Sequence, residues 1–202
     1  MLVHVTFPFS YEHIRRLGLR PASQLVSEAD LGRAETDDLL AAYRKEPAEL
    51  KLADGTLVVL RDQVRNRRRI EPALDSMTEV EWLTLLNQRV YLFPATHRRV
   101  RELIGHYNAR GLSQDLISFD TFRLLAPYGA RVEVATVNSG VFPRTITPVR
   151  GRKTFVALAD LPVDELAKVQ EVTLQGALPI RDRAVRVVER HSPGGRVERI
   201  GP

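Results

Sequence analysis

The sequence predicts an α+β fold. Helix signatures gather in the first half of the chain and strand signatures in the second, without the βαβ alternation of a Rossmann sheet. The length, 202 residues with 44% hydrophobic and 27% charged, suits one domain with a core large enough to need no staples. The reading is a single domain over residues 1–190 and a flexible tail, 191–202, rich in Gly, Pro and Arg.

LVHVTF (2–7) alternates and is β-rich, so it reads as a strand, ended by Pro8. Ser10 is the expected cap of helix SYEHIRRL, and Gly18 its stop. Residues 20–35 read as irregular. Thr36 is the expected cap of helix DDLLAAYRK, closed by Pro47. Asp54-Gly55 marks a hairpin turn between LKLA and TLVVL, followed by the basic run Arg61–Arg69. Thr78 and Glu81 form a capping box for VEWLTLLNQ, where Trp82, Leu85 and Leu86 share a core face.

RVYLF (89–93) is a strand stopped by Pro94. THRRVRELIGHYNAR is a basic amphipathic helix with Val100, Leu103 and Ile104 as its stripe and Gly111 as its end; that stripe explains it without a ligand. LISF is a strand, and Asp120 caps TFRLL. RVEVATV is a strand running into the turn Asn138-Ser139-Gly140. A Pro- and Arg-bearing loop covers 141–153, and TFVAL, QEVTL and AVRVVER are strands. No internal repeat is present.

Thirty Lys and Arg against twenty-five Asp and Glu leave a net charge of +5, with an isoelectric point near 9.9. That excess favours an anionic partner: a nucleotide, a nucleic acid or a phosphate. The absence of cysteine excludes disulfides, Cys-based zinc sites and a Cys nucleophile. No apolar run nears the roughly 18 residues of a membrane span, and the N-terminus has no signal-peptide pattern, so the expected location is the cytoplasm, away from membranes.

No P-loop, GxGxxG, HExxH or GxSxG is found. The five histidines have no ligand-spaced partner, so no metal is expected. His4 sits mid-strand with Thr6 two residues on, on the same side. Such a pair can hold a polar ligand across the strand; a satisfied, partly buried His beside a strand Thr is the more ordinary reading.

Three islands then carry a resemblance. LVHVT followed by a helix and Gly18-Leu19, Arg89-Val90-Tyr91-Leu92-Phe93, and Val169-Gln170-Glu171-Val172-Thr173-Leu174-Gln175-Gly176-Ala177-Leu178-Pro179 resemble, in order, the His, Tyr and Glu strands of ADP-ribosyltransferases of the His-Tyr-Glu type. That superfamily includes diphtheria toxin, the poly-ADP-ribose polymerases and bacterial DNA-targeting toxins. Val5 stands where many members carry Gly. The chain is also similar to uncharacterised bacterial proteins with the segments seen here as Leu60-Arg61-Asp62-Gln63, Asn138-Ser139-Gly140 and Arg150-Gly151-Arg152-Lys153-Thr154-Phe155.

The resemblance implies a split mixed or antiparallel sheet and NAD as co-substrate. Glu171 would stabilise the ribosyl cation as the nicotinamide bond breaks, His4 and Thr6 would hold ribose hydroxyls, and Tyr91 would face the nicotinamide ring. Arg61, Arg144 and Arg152 are the forked donors chosen for the pyrophosphate and substrate, with Asn138 beside them. Tyr91 as a core aromatic and Glu171 as a solvent-facing residue remain alternatives. The acceptor would be DNA, RNA or a protein, with an antitoxin or immunity partner left open. A non-catalytic nucleic-acid-binding module and an NAD-using RNA 2′-phosphotransferase are the competing functions.

Overall fold

β1 (Leu2–Thr6) buries Leu2, Val3 and Val5 together, so both of its faces are covered, as a central strand requires. The computed structural model describes residues 1–63, 70–140 and 148–202. Most of the basic run beyond Gln63, and Arg144, lie outside the described residues.

α1 (Ser10–Leu17) follows, with Phe9 rather than Ser10 at the cap position. Phe9 is left-handed, φ 69°, and its N–H donates to Asp115 Oδ2 at 3.1 Å. Gly18 ends the helix as expected, at φ 79°. A Cβ there would also stand 2.6 Å from the Leu178 carbonyl oxygen, so glycine is required twice over.

The stretch read as irregular holds α2 (Ala22–Ser27) and the start of α3 (Arg33–Leu40). α3 begins before Thr36, with Glu35 accepting from the Gly32 N–H. It stops at Leu40 because Arg44 donates to the Leu39 carbonyl and closes the end well before Pro47. β2 (Ala48–Lys51) and β3 (Leu57–Leu60) form the expected hairpin, with Gly55 at φ 83°.

α4 (Glu79–Asn87) starts at the capping box: Glu81 Oε2 accepts from the Thr78 N–H at 2.7 Å and Thr78 Oγ1 accepts from the Glu81 N–H at 3.2 Å. β4 (Arg89–Pro94), α5 (Arg98–Ala109), β5 (Gln114–Phe119) and α6 (Thr121–Leu125), capped by Asp120, occupy the expected places. β6 (Val132–Ala135) and the brief β7 (Val156–Ala157) precede β8 (Glu171–Gln175) and β9 (Val185–His191). The segment read as a flexible tail instead turns back as β10 (Val197–Arg199), paired antiparallel with β9. Ile200 N–H then reaches the Val188 carbonyl, which seats the end of the chain on the sheet.

β1 and β4 to β10 make one sheet in the order β10-β9-β5-β1-β4-β8-β6-β7, antiparallel at every strand pair described. The hairpin β2–β3 stands apart. One face packs the main core, where Ile14 of α1 and Leu124 of α6 meet Leu92, Ile117 and Leu174. On the other face Val100 of α5 packs on Val3 and Val5, and Trp82 of α4, a core residue as expected, stacks on Phe155.

The sheet is not uniform across its middle. β1 pairs β5 over five residues and β4 pairs β8 over four, but β1 and β4 meet only at Leu2↔Pro94 and Val3↔Phe93. Beyond Val3 the two strands part.

Candidate functional site

An open strand edge exposes backbone polar groups that need partners. Here side chains supply them. His4 Nδ1 donates to the Tyr91 carbonyl at 2.9 Å, and Arg61 Nη2 donates to the Val5 carbonyl at 2.9 Å. The gap between the strands is therefore stable, and it opens a cleft of about 590 Å³. That volume suits a small-molecule or cofactor ligand.

His4, Thr6, Tyr91, Glu171, Arg61 and Asn138 all line this cleft. Arg152 does not: it is exposed on the loop after Gly151, away from the cleft wall. The pairing Val3↔Phe93 puts Tyr91 on the sheet face opposite to His4, since each strand alternates. The two open on one space because the strands separate.

Glu171 is 3% exposed, so the solvent-facing alternative is excluded. The Ser139 N–H donates to both carboxylate oxygens at 3.2 Å. Burial pushes its pKa up to about 7, against the bonds from Ser139 and the charges of Arg99 and Arg150, which hold it down. Burial pulls His4 down to about 4, so it is neutral at pH 7. With Nδ1–H spent on Tyr91, its Nε2 is left as an acceptor.

Tyr91 is packed as a core aromatic and also reaches the cleft. Its hydroxyl donates to the Leu86 carbonyl at 3.3 Å and its ring packs edge-on to Phe155, while the side chain also walls the cleft. Burial and the nearby Glu171 raise its pKa, so it stays protonated.

Arg61 is pinned from several sides. Nη2 also donates to Gln114 Oε1 at 2.7 Å, and the guanidinium lies 4.5 Å from the Tyr107 ring centroid. Its charge has no carboxylate bound to it among the described residues, and Nη1 is buried without a partner. Arg89, by contrast, is committed to Glu133 at 2.9 and 3.2 Å.

Sequence reasoning missed Arg150. It is 1% exposed and grips the Asn138 carbonyl through Nε and Nη2 at 3.1 and 2.6 Å, and the Pro148 carbonyl through Nη1 at 2.6 Å. Asn138 Oδ1 accepts from the Gly140 N–H, which tightens the same turn. The turn aims Ser139 N–H at Glu171. The signal was present, because Asn-Ser-Gly and Arg-Gly-x-x-Thr-Phe were both singled out, but nothing in the sequence joined them.

Gln63, Asn87 and His13 were also missed. Asn87 Oδ1 accepts from Gln63 Nε2 at 3.2 Å and lies 3.4 Å from the Arg44 guanidinium. His13 also lines the cleft, as do Ile14, Leu19, Leu25 and Val58, and neither of its ring nitrogens has a partner among the described residues. No group of three or more His, Asp or Glu among the described residues is placed to hold a metal ion, and no described helix is long and apolar enough to cross a membrane.

Fold and site together define an α+β protein whose antiparallel sheet parts over a crevice holding a buried carboxylate, a neutral imidazole and a fixed guanidinium. The chain belongs to a family of unknown function, DUF7002, whose model matches residues 1–185. No curated protein and no solved structure matches it.

Proposed function

We propose that this protein is an NAD-dependent ADP-ribosyltransferase with a split-sheet fold of the His-Tyr-Glu type. One observation carries the reading. Residues 4, 91 and 171, named from three short islands far apart in sequence, line a single cleft at the point where the sheet divides. The apolar lining from Ile14, Leu19 and Val58 suits a nucleobase, and the buried positive charge of Arg61 suits a pyrophosphate.

In the reaction, the bond between the ribose C1′ and the nicotinamide nitrogen breaks, and its electron pair leaves with neutral nicotinamide. The ribosyl cation left behind is captured by a nucleophile of the acceptor, which loses its proton. Ionised Glu171 stabilises the cation and accepts from the ribose 2′-OH. One placed charge in such a cleft contributes about 3 kcal/mol to lowering the barrier. His4 Nε2 accepts from a ribose hydroxyl, with Thr6 beside it. Tyr91 bounds the space for the nicotinamide ring. The basic isoelectric point favours a nucleic-acid acceptor, whose phosphates would give salt-dependent affinity.

NAD is expected to raise the melting temperature, because a ligand bound only by the native state stabilises it. Nicotinamide release is expected to fall about 100-fold or more in Glu171→Gln. The wild-type rate should rise as pH climbs through about 7, where Glu171 ionises. Equal NAD consumption by wild type and Glu171→Gln, or no thermal response to NAD, overturns the reading.

A further inference from the structure

The segment Leu60-Arg61-Asp62-Gln63 runs from the last residue of β3 along the cleft wall. Asp62 also lines the cleft but is spent: it accepts from the Tyr107 hydroxyl and from Arg110 Nη1. Arg61 and Gln63 both reach the cleft wall. Each is anchored on one side and unspent on the other. Arg61 is fixed through Nη2 and leaves Nη1 without a partner; Gln63 is fixed through Nε2 on Asn87 and leaves Oε1 without one among the described residues.

The bond to Asn87 settles the orientation of the Gln63 amide, so the unspent atom is the carbonyl oxygen, an acceptor. A buried acceptor without a partner is unfavourable until a donor arrives, which makes such an atom in a cleft wall a selector for ligands carrying N–H. Its position narrows the ligand. Asn87 directly follows Leu86, whose carbonyl holds the Tyr91 hydroxyl. The acceptor is therefore tied to the same turn as the phenol end of Tyr91. A cleft wall that carries an aromatic ring and, held by the neighbouring residue of the same turn, an amide acceptor matches a flat ring bearing a primary carboxamide.

We infer that Gln63 is a specificity residue that accepts a hydrogen bond from the carboxamide NH₂ of the nicotinamide ring. The inference rests on the ADP-ribosyltransferase reading but goes further, since it assigns amide recognition to a side chain outside the three islands. A ligand with a carboxylate in place of the amide brings no donor and sets its negative oxygens against Oε1.

The test is calorimetric titration of the full chain with NAD, with its deamido analogue carrying nicotinic acid, and with ADP-ribose. Wild type is expected to bind NAD at least about tenfold more tightly than the deamido dinucleotide. Gln63→Leu and Gln63→Met are expected to lose that preference while binding ADP-ribose within about twofold of wild type. Two variants are used so that one poorly folding substitution does not decide the result. Equal wild-type affinity for the two dinucleotides overturns the inference, and so does a preference that survives in a folded variant. Failure of all three ligands to bind wild type removes the underlying reading itself; ADP-ribose binding without amide discrimination removes only the role of Gln63.

Discussion

The two halves of the sheet carry different parts of the site and respond to protons in opposite directions. The half β10-β9-β5-β1 supplies His4 and Thr6; the half β4-β8-β6-β7 supplies Tyr91 and Glu171. Each half is laddered throughout, yet two residue pairs join them. Burial favours the neutral form on both sides, but neutrality means losing a proton for His4 and keeping one for Glu171. A cleft between two well-paired halves can thus be rigid on each wall and still hold unpaired polar groups at its centre.

The seam has a second fastener, the bridge in which Leu19 and Leu178 exchange backbone hydrogen bonds at 2.9 and 2.8 Å. Substitutions at these contacts separate the two halves. Arg150→Met should have the largest effect, destabilising by about 4 kcal/mol, because it strips the Asn138 and Pro148 carbonyls of a buried charged donor. Chemical denaturation measures that loss. The pH–rate midpoint should also move up, since Glu171 loses a nearby positive charge and a firmly held Ser139 N–H; an unmoved midpoint would show that the turn is aimed without Arg150.

Gly18→Ala acts on the fastener. The left-handed backbone and the 2.6 Å approach to the Leu178 oxygen together predict a loss of about 3 kcal/mol. Thermal melts should show it, and a near-neutral result would mean that the two halves hold together without this contact.

The opposed titrations come next. The folded pKa of Glu171 is raised, so between about 4.5 and 7 the native state binds more protons and stability falls as pH rises. The folded pKa of His4 is depressed, so between about 6.5 and 4 stability falls as pH drops. Their slopes oppose each other from about pH 4.5 to 6.5, where each is worth at most about 3 kcal/mol. Relative to wild type, Glu171→Gln should gain stability as pH rises, and His4→Gln should gain it as pH falls. Parallel pH series of denaturant midpoints test this, and equal slopes in both variants would contradict it.

Thr78→Ala lies on α4, away from the seam. It removes one cap bond and should cost about 1 kcal/mol, with nicotinamide release unchanged.

Much of this fold was legible because its signals are local. The Thr78–Glu81 box, the Asp54-Gly55 turn, the Gly18 stop and the strand around Glu171 depend on neighbours within a few residues. α2 was illegible because ASQLVS has no cap or period strong enough to stand out, and its Val26 is buried in a cluster formed with the distant β2–β3 hairpin. β10 was illegible for a similar reason: VER pairs with β9 across a Gly-rich turn that by composition suggested a loose end.

The site divides along the same line. His4 with Thr6 on one strand, Tyr91 on another and Glu171 on a third were fixed by the chain itself. That the first three share a cleft depended on β1 and β4 separating after Val3, which brings opposite sheet faces to one opening. The grip of Arg150 on Asn138 and the orphaned oxygen of Gln63 depended on packing between segments far apart in sequence. Local chemistry is written in neighbouring residues; which acceptors go unpaired and which charges lose their water is decided only when distant strands meet.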